Sequence, residues 1–251
     1  MTDASTRQLL GLFLDAVVPV PSLVCVWAHG SLAGGDYQPG RSDLDLVAVV
    51  ERRCPPALEE RLVAAHEKLA ATHPLAAKLH CSYVAADEWG DLAAAHLTWA
   101  HEELMHRPVT PVTRRELHDF GEVLHGPPPA DLLPPVTDRE LSDFVAEDLA
   151  HFWRPALDHP ERWLREVWVD LGLLTLARAD VTLRTGRLIS KAQALDVLTA
   201  LGAPADVVHD IRRRRYGGPR SASDQWPARR AELTRAFLAP AIERVLAAAR
   251  P

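Results

Sequence analysis

The chain has 251 residues, with 28 Lys and Arg against 34 Asp and Glu, a net charge of −6 when histidine is neutral. At 47% apolar and 25% charged residues it has ordinary globular composition, which excludes wholesale disorder and leaves room for one large domain or two modest ones. The acidic balance is the reverse of what a protein gripping a nucleic-acid backbone carries, so no nucleic-acid partner is expected, and a small cationic molecule would be steered toward the chain.

No apolar run approaches the roughly 20 residues of a membrane helix, so no membrane partner is expected. Residues Met1 to Ser5 lack a basic segment followed by an apolar one, and Cys25, Cys54 and Cys81 offer no disulfide framework. A cytoplasmic protein, monomeric or weakly dimeric, is the expectation. Leu23–Trp27 and Leu44–Val50 read as strands. Leu58, Leu62, Ala65 and Leu69 recur at helical spacing and predict a helix over 57–72. Lys78–Val84 alternates, with Leu79, Cys81 and Tyr83 on one face and His80 and Ser82 on the other. His96, His101 and His106, five residues apart, would not share a helix face and read as surface histidines. The first half is therefore α/β.

Five prolines fall within residues 127–135, and Gly126 precedes them, which predicts a stiff connector over 127–137. Beyond it the pattern is helical throughout. Thr137 and Glu140 form a capping-box signature for a helix reaching Trp153. One long helix is expected from Glu161 to Thr185, ended by Gly186. Ser190 caps the next, over 191–201, Pro204 opens another, and a last helix runs over 228–249. Arg212–Arg215 reads as a solvated helix end.

The chemistry concentrates in Gly30-Ser31 and, eleven positions after Ser31, Ser42-Asp43-Leu44-Asp45. Two residues apart on a strand, the Asp43 and Asp45 carboxylates project from one face. They repel unless a cation lies between them, and hard oxygen donors near phosphate suit Mg²⁺. Gly30 lets a phosphate approach the backbone, while Ser31 and Ser42 each offer a hydroxyl and an N–H. A lone Asp-x-Asp on a strand is usually just a solvated face; its joint occurrence with Gly-Ser between two apolar strands points to nucleotide–metal chemistry.

This arrangement resembles the polymerase-β-type nucleotidyltransferases, and the whole chain is similar to the aminoglycoside adenylyltransferases that modify streptomycin and spectinomycin. Leu176-Ala177-Arg178, Thr185-Gly186-Arg187-Leu188-Ile189-Ser190-Lys191 and Tyr216-Gly217 carry the likeness into the helical half. The resemblance implies an α/β (α+β) nucleotidyltransferase domain with a mixed sheet over 1–126 and a helical-bundle domain over 138–251. It implies Mg²⁺ on Asp43 and Asp45, and ATP phosphates held at Gly30, Ser31 and Ser42. Arg178 and Lys191 would reach the triphosphate, and Tyr216 would lie near the nucleotide. The implied reaction moves AMP from ATP to a hydroxyl of a cationic, aminoglycoside-type acceptor and releases pyrophosphate. Glu147, Glu166 and Asp170 are candidate acids for such an acceptor, or plain surface charges. The family carries a third carboxylate on a later strand, where this sequence has His80. Histidine can serve as the catalytic base but is a poor Mg²⁺ ligand. A structural His80 with another acid as base, drawn from Asp87, Glu88, Glu102 or Glu103, stays open. So do a protein or metabolite acceptor of toxin–antitoxin type, and an inactive nucleotide-binding relative.

Overall fold

Among the described residues six strands form one mixed sheet: β1 (Leu23–Ala28), β2 (Leu44–Val50), β3 (Leu79–Ala85), β4 (Ala95–Ala100), β5 (Glu103–Pro108) and β6 (Glu122–His125). Their spatial order is β5-β4-β3-β2-β1-β6, and only the β2–β3 pair is parallel. The structure, a computed structural model, describes residues 3–20, 22–217 and 224–249, so the outermost ends of both expected domains lie outside it. The chain divides into two compact units, residues 1–136 and 137–251.

In the first unit the sheet is covered on both faces, which is why β1 and β2 read as nearly continuous apolar runs. On one face α1 (Ala4–Val17) and α3 (Pro56–Thr72) bury Leu9, Phe13, Val17, Leu62 and Leu69 against Leu44, Leu46, Leu79, Cys81 and Tyr83. Helix α1 is absent from the sequence-based expectations, although Asp3 caps it: one carboxylate oxygen accepts from the N–H groups of Ser5 and Thr6. On the other face Cys25, Trp27, Val47, Val49 and Val84 pack with Trp89, Val109, Leu117 and Leu133. That side is covered by α4 (Pro111–Phe120) and the short α5 (Pro129–Leu132).

The proline-rich segment lies on the first unit rather than spanning free. The Trp27 indole donates to the Pro127 carbonyl at 2.8 Å, Pro129 starts α5, and Leu133 is buried. A proline at the first helical position forfeits no hydrogen bond, so the run tolerates this turn of helix.

His96, His101 and His106 are not helical. His96 lies in β4 and His106 in β5, and His101 with Glu102 forms the two-residue turn between them. Both turn residues have positive φ, 55° and 62°, as a primed hairpin turn requires. The turn lacks the Asn-Gly chemistry that marks such hairpins in sequence. His96 is buried, contrary to a surface role.

The second unit is all helical among its described residues. Thr137 and Glu140 form the expected capping box on α6 (Asp138–Asp148), which runs through a π-helical turn, Leu149–Trp153, into α7 (Arg154–Ala156). The expected single helix over 161–185 is broken. A 3-10 turn, Pro160–Leu164, precedes α8 (Glu166–Thr185), and the extended Arg165 separates them. Gly186 ends α8 at φ 69°, a left-handed cap that glycine adopts without penalty. Helices α9 (Lys191–Ala200), α10 (Ala205–Tyr216) and α11 (Trp226–Ala248) complete the bundle around the buried α8 residues Val169, Leu173, Leu176 and Ala177. No helix among the described residues is long and apolar enough to cross a membrane.

Candidate active site

The end of β1 and the start of β2 are hydrogen-bonded neighbours, and the His29 N–H donates to the Asp45 carbonyl at 2.9 Å. The chain turns at Gly30, with φ 61°, into the single-turn helix α2 (Gly30–Ala33). A Cβ on Gly30 would lie 2.7 Å from the Asp45 Oδ2, so glycine is required both for the backbone angle and for the close seat of the carboxylate. Asp43 directly precedes β2 and Asp45 is its second residue. Asp45 belongs to the row of Val47 and Val49, opposite the Leu44–Leu46 row that faces α1 and α3.

Parallel pairing sets Asp45 beside His80 on β3, with the imidazole Nδ1 3.6 Å from the Asp45 Oδ1. His80 is buried, and its Nε2 has no hydrogen-bond partner among the described residues. The His101 ring packs edge-on against it, centroids 4.6 Å apart, so one of the considered acids, Glu102, stands in the turn beside the site. Glu88 is engaged elsewhere, by Arg53 at 2.8 Å and by His96 at 3.4 Å.

Two further groups escape sequence reading. Lys78, which ends a 3-10 turn before β3, places its Nζ 3.3 Å from the Asp43 Oδ1. Buried Glu116, on α4, holds the His29 Nδ1 at 3.0 Å, immediately before Gly30. Ser31 is half-buried at the start of α2. Ser42 is buried, its hydroxyl accepting from the Gln38 N–H at 3.0 Å and its own N–H donating to the Gln38 carbonyl at 2.8 Å. It thereby closes the loop that delivers Asp43.

Asp43 and Asp45 suit Mg²⁺. Both offer hard oxygen donors at one sheet end, and Mg²⁺ is commonly held by one or two carboxylates, water and substrate phosphates. Among the described residues no three His, Cys, Asp or Glu side chains form a ready-made metal set, so the nucleotide would have to complete the coordination.

The remaining predicted residues belong to the second unit. The Arg178 Nε donates to the Ile189 carbonyl at 3.0 Å and so fixes the segment that Ser190 turns into α9. Lys191 is the first residue of that helix. Tyr216 ends α10, partly exposed, its hydroxyl accepting from the Arg215 Nε at 3.0 Å.

The arginine run before it is not a plain solvated end. Arg214 forks onto Asp170 with two bonds of 2.6 Å and also meets Asp210 at 3.1 Å. Burial works against its positive charge, but Asp170, Asp210 and Glu166 outweigh burial and push its pKa up. Buried Arg230 takes Glu166 at 3.1 Å. Asp170 is thus a half-buried counter-ion and Glu166 an exposed one, while Glu147 is exposed as well.

No family model and no curated protein matches the sequence. A spectinomycin adenyltransferase, AAD(9) from Enterococcus faecialis, solved with ATP and spectinomycin, is similar in structure. Its TM-score is 0.66 at 14% identity, over 93% of this chain and 96% of that one. The chain therefore shares the fold of that protein: a mixed six-stranded sheet with helices, followed by a helical region.

Proposed function

We propose that the protein is a Mg²⁺-dependent nucleotidyltransferase that moves AMP from ATP to a hydroxyl of a small, aminoglycoside-type acceptor and releases pyrophosphate. The observation that carries this reading is the seating of Asp45 on the Gly30 backbone, with Asp43 beside the same sheet end, in a chain that shares its fold with an adenyltransferase. Asp43 and Asp45 would hold Mg²⁺, which supplies charge neutralisation on the triphosphate when bound. Gly30 and Ser31 would accommodate the phosphates through backbone N–H groups and the Ser31 hydroxyl, and Ser42, whose N–H is engaged by Gln38, would contribute through its hydroxyl. Arg178, Lys191 and Tyr216 contact the nucleotide, a role that rests on the family resemblance of the segments carrying them.

In the reaction the acceptor oxygen forms a bond to the α-phosphorus as the bond to the β-phosphate oxygen breaks. The acceptor proton would pass to His80, whose Nδ1 stands 3.6 Å from the Asp45 Oδ1. Labelled ATP and Mg²⁺, offered with a panel of aminoglycosides, test the reading: label should move to a drug, with one pyrophosphate released per transfer. A second reading, transfer to a less cationic metabolite, is favoured by the pairing of Asp170 with Arg214 and of Glu166 with Arg230, which engages two acids a polycation would meet. Label moving only to a neutral hydroxyl compound in the same panel would select it.

A further inference from the structure

Asp43 and Asp45 each have a basic partner delivered by the start of β3. The β2–β3 register pairs Leu44 with Leu79 and Asp45 with His80, so Asp43 and Lys78 stand side by side just ahead of the first rung. Lys78 Nζ lies 3.3 Å from the Asp43 Oδ1, and His80 Nδ1 lies 3.6 Å from the Asp45 Oδ1. The Lys78 ammonium offsets part of the negative charge that the two carboxylates offer, and Asp43 and Asp45 together suit one divalent cation. A second would meet the Lys78 ammonium, and it would find an imidazole where it needs oxygen.

We propose that Lys78 supplies a cation of the protein's own to the reaction centre, standing in for a second divalent ion, so that the enzyme works with one metal ion per nucleotide. The proposal rests on the nucleotidyltransferase reading above. Lys78 is suited to the part, because its ammonium is a compact point charge on a flexible stem and its side chain is 40% exposed. It can leave Asp43 when the metal arrives and turn to a phosphate oxygen.

Titration of the whole protein with Mn²⁺ in the presence of α,β-methylene-ATP, followed by electron paramagnetic resonance, tests this without turnover. Wild type should take up one Mn²⁺ per chain. Lys78→Met should bind that ion about two- to fivefold tighter, because the ammonium no longer competes for Asp43. The same variant should lose about 10- to 100-fold in transfer rate at saturating Mg²⁺, as removal of a preorganised charge does. Two Mn²⁺ per wild-type chain overturns the proposal, and so does a Lys78→Met protein unchanged in both affinity and rate. Failure of wild type to bind Mn²⁺ with the nucleotide overturns the nucleotide–metal reading itself, and the proposal with it.

Discussion

His66 should make the first unit sensitive to acid. Its imidazole is buried in the α3 face of the core, Nε2 2.8 Å from the Tyr83 hydroxyl, stacked at 4.9 Å on Trp99 and tilted against Phe13. None of these neighbours carries a charge. Burial pushes the pKa down from 6.5 to about 3. In the unfolded chain the same histidine protonates near its ordinary value. Below pH 6.5 the unfolded state therefore binds a proton that the folded state refuses, and stability falls with falling pH. The slope is about 1.4 kcal/mol per pH unit, so roughly 2–3 kcal/mol is lost by pH 4.5, and the loss levels off near pH 3. Other groups titrate over this range, so the comparison should be with His66→Gln, which can still hydrogen-bond to Tyr83 but cannot gain charge. Urea unfolding of both proteins from pH 7.5 to 4.5 should show the wild type losing stability relative to the variant, by that amount. A stability difference that stays flat across this range would refute the argument.

Asp43→Asn and Asp45→Asn should each lower transfer at least about 10²-fold with circular dichroism unchanged; near-wild-type turnover at saturating Mg²⁺ would remove both from the site. Gly30→Ala should abolish transfer, because the new Cβ meets the Asp45 carboxylate and the backbone angle disfavours alanine. An active Gly30→Ala enzyme would show that the turn can relax. Arg178→Ala and Lys191→Ala should each weaken ATP binding about tenfold or more by calorimetry, as expected for lost charge-assisted hydrogen bonds. His80→Ala should cost about 10²- to 10⁴-fold in rate, and full activity would leave His80 a packing residue.

Local chemistry made much of this fold readable. Strands β1 and β2 are short apolar runs bounded by turn residues, and α3, the Thr137 capping box and the Gly186 stop follow helical periodicity and cap chemistry. What escaped depends on partners distant in sequence, or on a turn that breaks the usual rule. His101-Glu102 makes a tight hairpin with two non-glycine residues at positive φ, so β4 and β5 carry no hairpin signal in the sequence. Arg214 looks like surface charge in sequence, yet Asp170, 44 residues away, neutralises it inside the bundle. The proline run reads as a stiff connector, and nothing in the sequence signals that Trp27, 100 residues earlier, supplies a donor to the Pro127 carbonyl.

The candidate site divides along the same line. Asp43-Leu44-Asp45 and Gly30-Ser31 are legible because spacing on a strand and a glycine turn are local properties. Lys78 and Glu116 are not, since nothing near either residue signals its partner. The alternation of β3 already places His80 and Ser82 opposite Leu79, Cys81 and Tyr83, but alternation alone cannot say which carboxylate His80 will meet. The parallel register decides that. Shifting β3 by one residue would carry His80 into the face packed by α1 and α3 and bring an apolar side chain to Asp45. A shift of two would keep the face yet set Lys78 or Ser82 beside Asp45. The register observed pairs Asp45 with an imidazole and leaves the ammonium beside Asp43. It is held from the opposite face, where Leu44, Leu46, Leu79 and Cys81 are buried together against α1 and α3. Apolar packing on one side of the sheet thus fixes the acid–base pairs on the other, and the chemistry of the site follows from the core.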